Sequence, residues 1–493
     1  VRQRKRRLLI TPLPFLYAPA ATLWQSADMS WSARLLLIGL LPVITAAALV
    51  LAAALPEAPQ WPFMQAILLG GAVVGTIMLY GRDDRMAVLL TMVVLLVGLV
   101  GRIGAIGLAN GPLIAADPMN YQNLARALLA GDGLVTTDIQ YGRVYAHFPP
   151  LYPLLLAAFW RIFGESTWAT MAFAMLCDGI TAWTIFDIAR RCGAASAGRI
   201  AGLLVLIYPA LLIAAPIPQK ESLTVALATL LVRAMLLWAQ DNGGKRGSVT
   251  VALIGLWWGL LMLTQPSLAL LAPCMGLALV PTRKLLPVLH MGIMAGLIAS
   301  AVMLPWWLRN YLLFGDIVPF TTAGGYLVNV QLGPNSLPFP PGLFDLPEPD
   351  RGAVMASAAF QWIAAHPFDH ALVQGRQIAN VFAYDAAAIQ AYRHLDPPIG
   401  AVLRDALLAA FQLGWLLLLV GAAAGTRRLA SLPALSWLAP LIAIFAASLL
   451  TTNIWFEFAE RHRYAMTPFL LLLAALWWTQ RTGTRPRRQS VQP

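Results

Sequence analysis

Charge is scarce in this chain. Of 493 residues only 11% are Asp, Glu, Lys or Arg, whereas a soluble domain carries roughly 25%. With 59% hydrophobic residues and a mean hydropathy of +0.69, a water-soluble globular protein is excluded. Cysteine is scarcer still. Cys177, Cys192 and Cys274 form no CxxC pair, which excludes a disulfide framework and a cysteine zinc site. Short alternating strands are missing too, which excludes a membrane barrel. Net charge is +12, but no basic, aromatic-interleaved soluble segment accompanies it, so nucleic-acid binding is not expected. No internal repeat is visible, which counts against repeat-built transporters. The opening "RQRKRR" is followed by no short apolar core with a small-residue cleavage site, so no cleavable signal peptide is expected.

What the chain has is apolar runs of membrane-spanning length. They fall near residues 35–55, 62–80, 87–109, 168–189, 199–215, 222–240, 249–263, 267–281, 285–304, 402–421, 432–451 and 466–480. The sequence thus predicts an all-α integral membrane bundle of about twelve spans. Pro266 separates the short pair 249–263 and 267–281, because proline cannot continue a helix. Lys and Arg cluster at "RQRKRR", Arg82 and Arg85, Arg190 and Arg191, Lys245 and Arg246, Arg283 and Lys284, Arg427 and Arg428, and "RTGTRPRR". By the positive-inside bias this face and both termini are cytoplasmic.

The opposite face carries the polar material, in long segments at 110–167 and 305–400 and short ones near 216–221 and 452–465. Functional residues concentrate in such loops. In "AADPMNYQNLARALLAGDGL", Tyr121, Leu124, Ala125, Leu128 and Leu129 share one helical face. That reads as a helix lying on the membrane surface, ended by Gly131 and Gly133, with Asp117 at its start. Asp before Pro118 is also an ordinary helix cap, and the two roles are compatible. "YAHFPPLYPLLLAAFWRIFG" reads as a sharp return toward the membrane, with His147 facing the same compartment. Lys220 and Glu221 sit in the turn "APIPQKES", Arg309 in "PWWLRNYLLFG", and Glu457, Glu460, Arg461, His462 and Arg463 in "WFEFAERHRYAMTPF". An acid among cations and aromatics at one depth suits a phosphate-bearing lipid: the cations neutralise phosphate and the carboxylate accepts a proton from an attacking hydroxyl. Asp178, inside the span "MLCDGITAW", reads instead as a packed hydrogen-bonding residue away from that site. The "LGPNSLPFPPGLFDLPEPDRG" stretch reads as an irregular lid.

The motifs "ADPMNYQNLARALLAGDG", "HFPPLYPLLLAAFWRIFG", "QKESLTVALATLL", "PWWLRNYLLFGDIVPFTTAGG" and "ERHRYAMTPFLLLLAALWW", in that order, resemble the GT-C fold membrane glycosyltransferases. The similarity lies with the branch of protein O-mannosyltransferases, the lipid A aminoarabinose transferase and core galacturonosyltransferases. The resemblance implies a glycosyltransferase that moves a sugar, with inversion, from a polyprenyl-phosphate donor to a hydroxyl acceptor on a glycolipid, polysaccharide or protein. It implies a bacterial-type inner membrane location with a periplasmic site. It implies Asp117 as general base, and His147, Lys220, Arg309, Arg461 and Arg463 as donor-phosphate contacts. Tyr121, Tyr152, Glu221 and Glu460 complete the candidate substrate contacts. His147 stands where the aminoarabinose branch has a phosphate-binding lysine, so its contact is expected to depend on pH. Pro118 departs from the Asp-Glu of mannosyltransferases. The expected divisions are a basic N-terminus with two extra spans (1–86), the transferase core (87–480) and a basic tail (481–493), with no soluble C-terminal domain. No cofactor is required, and a divalent metal is left open. The competing readings are a transporter or flippase of lipid-linked sugars and, among enzymes, a protein O-mannosyltransferase.

Overall fold

The structure is a computed structural model. It describes residues 116–241, 247–383, 385–390, 400–453 and 460–481, with isolated positions 102, 105, 108, 109, 112, 113 and 392. The expected spans at 35–55 and 62–80, nearly all of 87–109, and the basic tail lie outside the described residues.

Helices dominate. α1 (Ala116–Ala130) is followed by a two-stranded antiparallel hairpin, β1 (Thr136–Asp138) and β2 (Gly142–Val144). Thr136 pairs with Val144 and Asp138 with Gly142. Then come α2 (Leu151–Phe163), α3 (Thr167–Arg191), α4 (Ala195–Ile207), α5 (Pro209–Ala214), α6 (Glu221–Gln240), α7 (Gly247–Met262), α8 (Leu271–Arg283) and α9 (Leu285–Phe314). The second outer segment holds α10 (Gly324–Val330), α11 (Glu348–Ala365), α12 (Pro367–Ala383) and the short α13 (Ala387–Gln390). α14 (Ala401–Thr426), α15 (Leu438–Asn453), a 3-10 segment (Glu460–Met466) and α16 (Thr467–Arg481) complete the bundle.

Among the described residues five stretches are long and apolar enough to cross a membrane: α3, α6, α9, α14 and residues 433–451. α2, α4, α7 and residues 266–280 are shorter apolar helices. Several sequence expectations change in detail. The run 199–215 is not one helix: it breaks at Tyr208, whose ψ of 120° is extended, because Pro209 disfavours a helical residue before it. The second outer segment begins later than 305. α9 carries Pro305 in its interior and runs to Phe314, where Gly315 closes it at φ 76°. The proline-rich stretch is irregular only as far as Pro347. From Glu348 it is helical, with Pro349 in the first turn, the position proline tolerates best.

Lipid offers no hydrophobic drive for helix association, so close packing of small residues replaces it. Glycines of α4, α7 and α14 supply it. Gly198 and Gly202 of α4 lie on α3, where a Cβ would meet the Ala189 Cβ at 2.7 Å and the Ala182 carbonyl at 2.9 Å. Gly255 and Gly259 of α7 lie on α9, where added carbons would stand 2.6 Å from the Ala295 carbonyl and 3.0 Å from that of Ala299. At Gly425 of α14 an added carbon would overlap the Leu473 carbonyl of α16. Gly425→Ala is therefore expected to cost about 1–3 kcal/mol through overpacking. Gly292→Ala on α9, where the same atom meets open space, is expected to be neutral. Thermal melts of both variants in one detergent check this; equal melting would remove the close approach as a determinant.

Candidate active site

α1 carries Asp117 in its first turn. The buried face read from the sequence is present: Tyr121, Leu124 and Ala125 are buried. Asn120 on the same helix fixes the hairpin. Its Nδ2 donates to Asp138 Oδ2 at 2.5 Å and its Oδ1 accepts from the Thr136 hydroxyl at 3.2 Å. Asp138 Oδ1 accepts the Gln140 and Tyr141 amides and shapes the turn. α1 and the hairpin thus form one support beneath the segment that leads to His147.

Asp117 does not cap its helix. It lies within the first turn, and its Oδ2 accepts from Arg461 Nη2 at 2.7 Å. Arg461 comes from the 3-10 segment before α16, 344 residues away. Its Nε also lies 3.7 Å from Glu221 Oε1 at the start of α6. Lys220 closes the group, with Nζ 6.0 Å from the centre of the Tyr121 ring. Tyr121 meets Tyr152 and Phe148 edge-on at 5.2 and 5.6 Å. Burial raises the Asp117 carboxyl, but Arg461, Lys220 and the Arg461 hydrogen bond together outweigh it and hold the group below its ordinary value. Burial, followed by the Asp117 charge, pushes the Tyr121 hydroxyl well up.

The structure therefore joins Asp117, Tyr121, Tyr152, Lys220, Glu221 and Arg461. The remaining candidates stand apart. Arg309 donates to Asn310 Oδ1 at 2.7 Å and to the Leu134 carbonyl at 3.0 Å, and so ties α9 to the first outer segment. Arg463 is fully buried. It pairs with Asp385 at 3.2 Å, donates to the Val381 carbonyl and stacks 3.9 Å from the Trp415 ring centre. Tyr208 and Tyr464 donate to the same Asp385. Glu460 accepts the Ala386 amide, and burial pushes its carboxyl up to about 7. These groups form a buried polar floor from which Arg461 and His462 project.

His147 differs most from expectation. It is buried against Tyr141, Phe148 and Tyr326, with ring centres 4.4, 5.0 and 5.4 Å away. Burial lowers its pKa to about 4 despite the fields of Asp138 and Asp117. At neutral pH it is an uncharged ring, not a cation for phosphate.

Three participants were not assigned from the sequence. His462, half-buried beside Arg461 and Lys220, is held well below its ordinary value, first by desolvation and then by those cations. Its place between two arginines in "ERHRY" was the available signal. Asp385 had none. Glu348 had none either, yet its carboxylate fastens the second outer segment to the first. It accepts the Tyr145 amide at 2.6 Å, the Ala146 amide at 2.9 Å and the Thr322 hydroxyl at 2.5 Å. Farther along, the Asn329 side chain both donates to and accepts from the Leu337 backbone. Below the site, Asp178 is buried and pairs with Arg102 at 2.7 Å. Ser222, the residue after Glu221, lies beside it. Its depth is thus one layer beneath the site, closer than its place in the span suggested.

Among the described residues no group of three or more His, Cys, Asp or Glu could hold a metal ion. The donor set at Asp117 does not fit a divalent cation, because Arg461 already lies between the two carboxylates and Lys220 adds a second positive charge.

Residues 147–308 match the family model described as dolichyl-phosphate-mannose-protein mannosyltransferase. That stretch contains two of the motifs on which the resemblance rests, and it bears the resemblance out there. No curated protein matches the chain. Among solved structures, the Archaeoglobus fulgidus oligosaccharyltransferase in complex with zinc and sulfate aligns with a TM-score of 0.45 and 17% identity over 77% of this chain. The chain spans about half of that protein, 48% of its length. ArnT from Cupriavidus metallidurans bound to undecaprenyl phosphate aligns at 0.39 and 15%, over 78% of this chain and 76% of its own.

With His147 uncharged, the pH dependence of affinity for a polyprenyl-phosphate sugar, a diester that does not titrate in this range, is expected to be the same in wild type and in His147→Asn between pH 5.5 and 7.5. A fall in affinity above pH 6.5 that disappears in the variant would show a cationic His147. Stability is expected to behave oppositely. Between about 4 and 6.5 the unfolded chain binds the extra proton, so stability falls as pH drops through that window. Melting temperature against pH reads this slope, and His147→Asn is expected to flatten it.

Proposed function

We propose that this chain transfers a sugar from a polyprenyl-phosphate donor to a hydroxyl acceptor at the outer, periplasmic face of the membrane, with inversion and with Asp117 as general base. The observation that carries the reading is the Asp117–Arg461 contact with Lys220 alongside. It puts a base and two phosphate-binding cations in one group at an end of the bundle. The family match over 147–308 supports a donor of the lipid-phosphate-sugar class.

In the resting site Arg461 suppresses the basicity of Asp117. A donor phosphodiester offers Arg461 and Lys220 a second anionic partner whose two free oxygens match the bidentate fork of arginine, and the charge on it grows as the anomeric bond breaks. As Arg461 turns to the phosphate, Asp117 loses its counter-charge and its proton affinity rises. The acceptor oxygen then attacks the anomeric carbon on the face opposite the phosphate, and its proton passes to Asp117. The bond from the anomeric carbon to the phosphate oxygen breaks, and the electron pair leaves on the phosphate, held by Lys220 and Arg461. A single displacement inverts the anomeric centre. The polar floor built on Asp385 and Arg463 holds the 3-10 segment, so Arg461 moves as a side chain on a fixed backbone.

Asp117→Asn is expected to lower the rate of transfer by about 10²–10⁴ while still binding the donor. Arg461→Gln and Lys220→Gln are each expected to weaken donor binding by roughly 10–100-fold, the weight of a charge-assisted hydrogen bond. Sugar transfer and donor binding, measured separately in proteoliposomes with a panel of polyprenyl-phosphate sugars, check both and identify the sugar. Undiminished transfer by Asp117→Asn would leave that residue a structural partner of Arg461. Translocation of the lipid without transfer by the wild type would favour the flippase reading.

A further inference from the structure

At the other end of α3 from the Ser166 cap, three arginines converge on one carboxylate. Asp187 Oδ1 accepts from Arg190 Nη2 at 2.6 Å. Asp187 Oδ2 accepts from Arg191 Nε at 2.6 Å and from Arg233 Nε of α6 at 2.8 Å. Three positive charges meet one negative charge, so the group keeps two in excess. Arg191 and Arg233 reach Asp187 through Nε, and among the described residues their Nη atoms donate no hydrogen bond. Those atoms are the part of the guanidinium fork that binds phosphate in bidentate fashion.

The group also faces lipid. Trp168, Leu176 and Trp183 are exposed at 56, 55 and 53%. Steps of seven or eight residues keep them on one face of α3. The next step of seven is Arg190, whose side chain is 53% exposed. From Trp168 to Arg190 that face runs about 33 Å at 1.5 Å per residue, close to the roughly 30 Å of a hydrocarbon core. Arg190 therefore emerges where the apolar stripe ends, at headgroup level. Arg233 stacks 4.8 Å from the centre of the Trp183 ring, which lies seven residues, about 10 Å, inside that level.

We infer that Arg190, Arg191 and Arg233, oriented by Asp187, form a binding site for the phosphate of an anionic phospholipid in the leaflet opposite the Asp117 site. Basic groups between spans on that side attract acidic lipid headgroups. Asp187 spaces and aims the three guanidiniums without cancelling them, and Trp183 supplies the surface along which the acyl chain lies.

The test uses the full chain in mild detergent, offered equal amounts of phosphatidylglycerol and phosphatidylcholine, with retained lipid read by native mass spectrometry. Wild type is expected to favour phosphatidylglycerol by about tenfold. The double variant Arg190→Gln/Arg191→Gln is expected to retain both lipids equally. Arg427→Gln/Arg428→Gln, which changes two other basic residues, is expected to keep the preference. If the double variant does not fold, Arg190→Gln alone is measured by the same ratio and is expected to lose part of the preference. A wild type without preference, or an Arg190→Gln/Arg191→Gln chain with undiminished preference, overturns the site. Loss of the preference on adding millimolar inorganic phosphate overturns the lipid as its ligand and assigns the site to free phosphate.

Discussion

The contact between Asp117 and Arg461 joins the beginning of the described chain to its end. α1 brings one partner and the segment before α16 brings the other, and everything around them serves to hold the pair at an end of the bundle. From below, the Asp385–Arg463 floor fixes the backbone of the 3-10 segment. From the side, α6 contributes Lys220 and Glu221 at its first turn. A carboxylate next to two cations is a poor base and an occupied one. That restraint fits the proposed reaction, in which the base is freed only when a donor phosphate engages the cations.

The polar groups are sorted by depth. Asp117, Lys220 and Arg461 lie at one end, and the Arg102–Asp178 pair sits a layer below, beside Ser222. At the other end, Asp187 gathers its arginines. Between these levels the helices meet through glycine, so the bundle is close-packed along its length and polar where it meets the two surfaces. A transport path would be expected to line the middle of several spans with ionisable groups. Apart from the Arg102–Asp178 pair, the charges among the described residues gather instead toward the ends.

Much of this was legible in the sequence, and the exceptions have physical reasons. The amphipathic face of α1 was readable because Tyr121, Leu124 and Ala125 follow helical spacing. Lys220 and Arg461 were readable because charge is rare in such a chain. The break at Tyr208 was hidden, since Pro209 lies within a run that is apolar on both sides. Arg309 and Arg463 share residue type and depth with the site arginines, and only their partners, Leu134 and Asp385, reveal that they are spent elsewhere. His147 was mistaken for a cation because its type suggested charge. The aromatic rings that keep it neutral come from the hairpin and from α10, and local sequence could not supply them. Glu348 left no trace because its three donors lie some 200 and 26 residues away.

Glu348 and Asn329 pin the stretch between α10 and α11 at both ends: one side chain grips the backbone before His147, the other grips Leu337. What remains between the pins is a short tip, with Phe339 and Phe344 exposed on it. The tip is itself anchored: Leu343 is buried against Tyr326 and Met355, and Phe339 packs on Tyr141 and Tyr326, two of the rings around His147. A load placed on the tip is therefore passed to the aromatic shell around His147 instead of being absorbed in a loose loop.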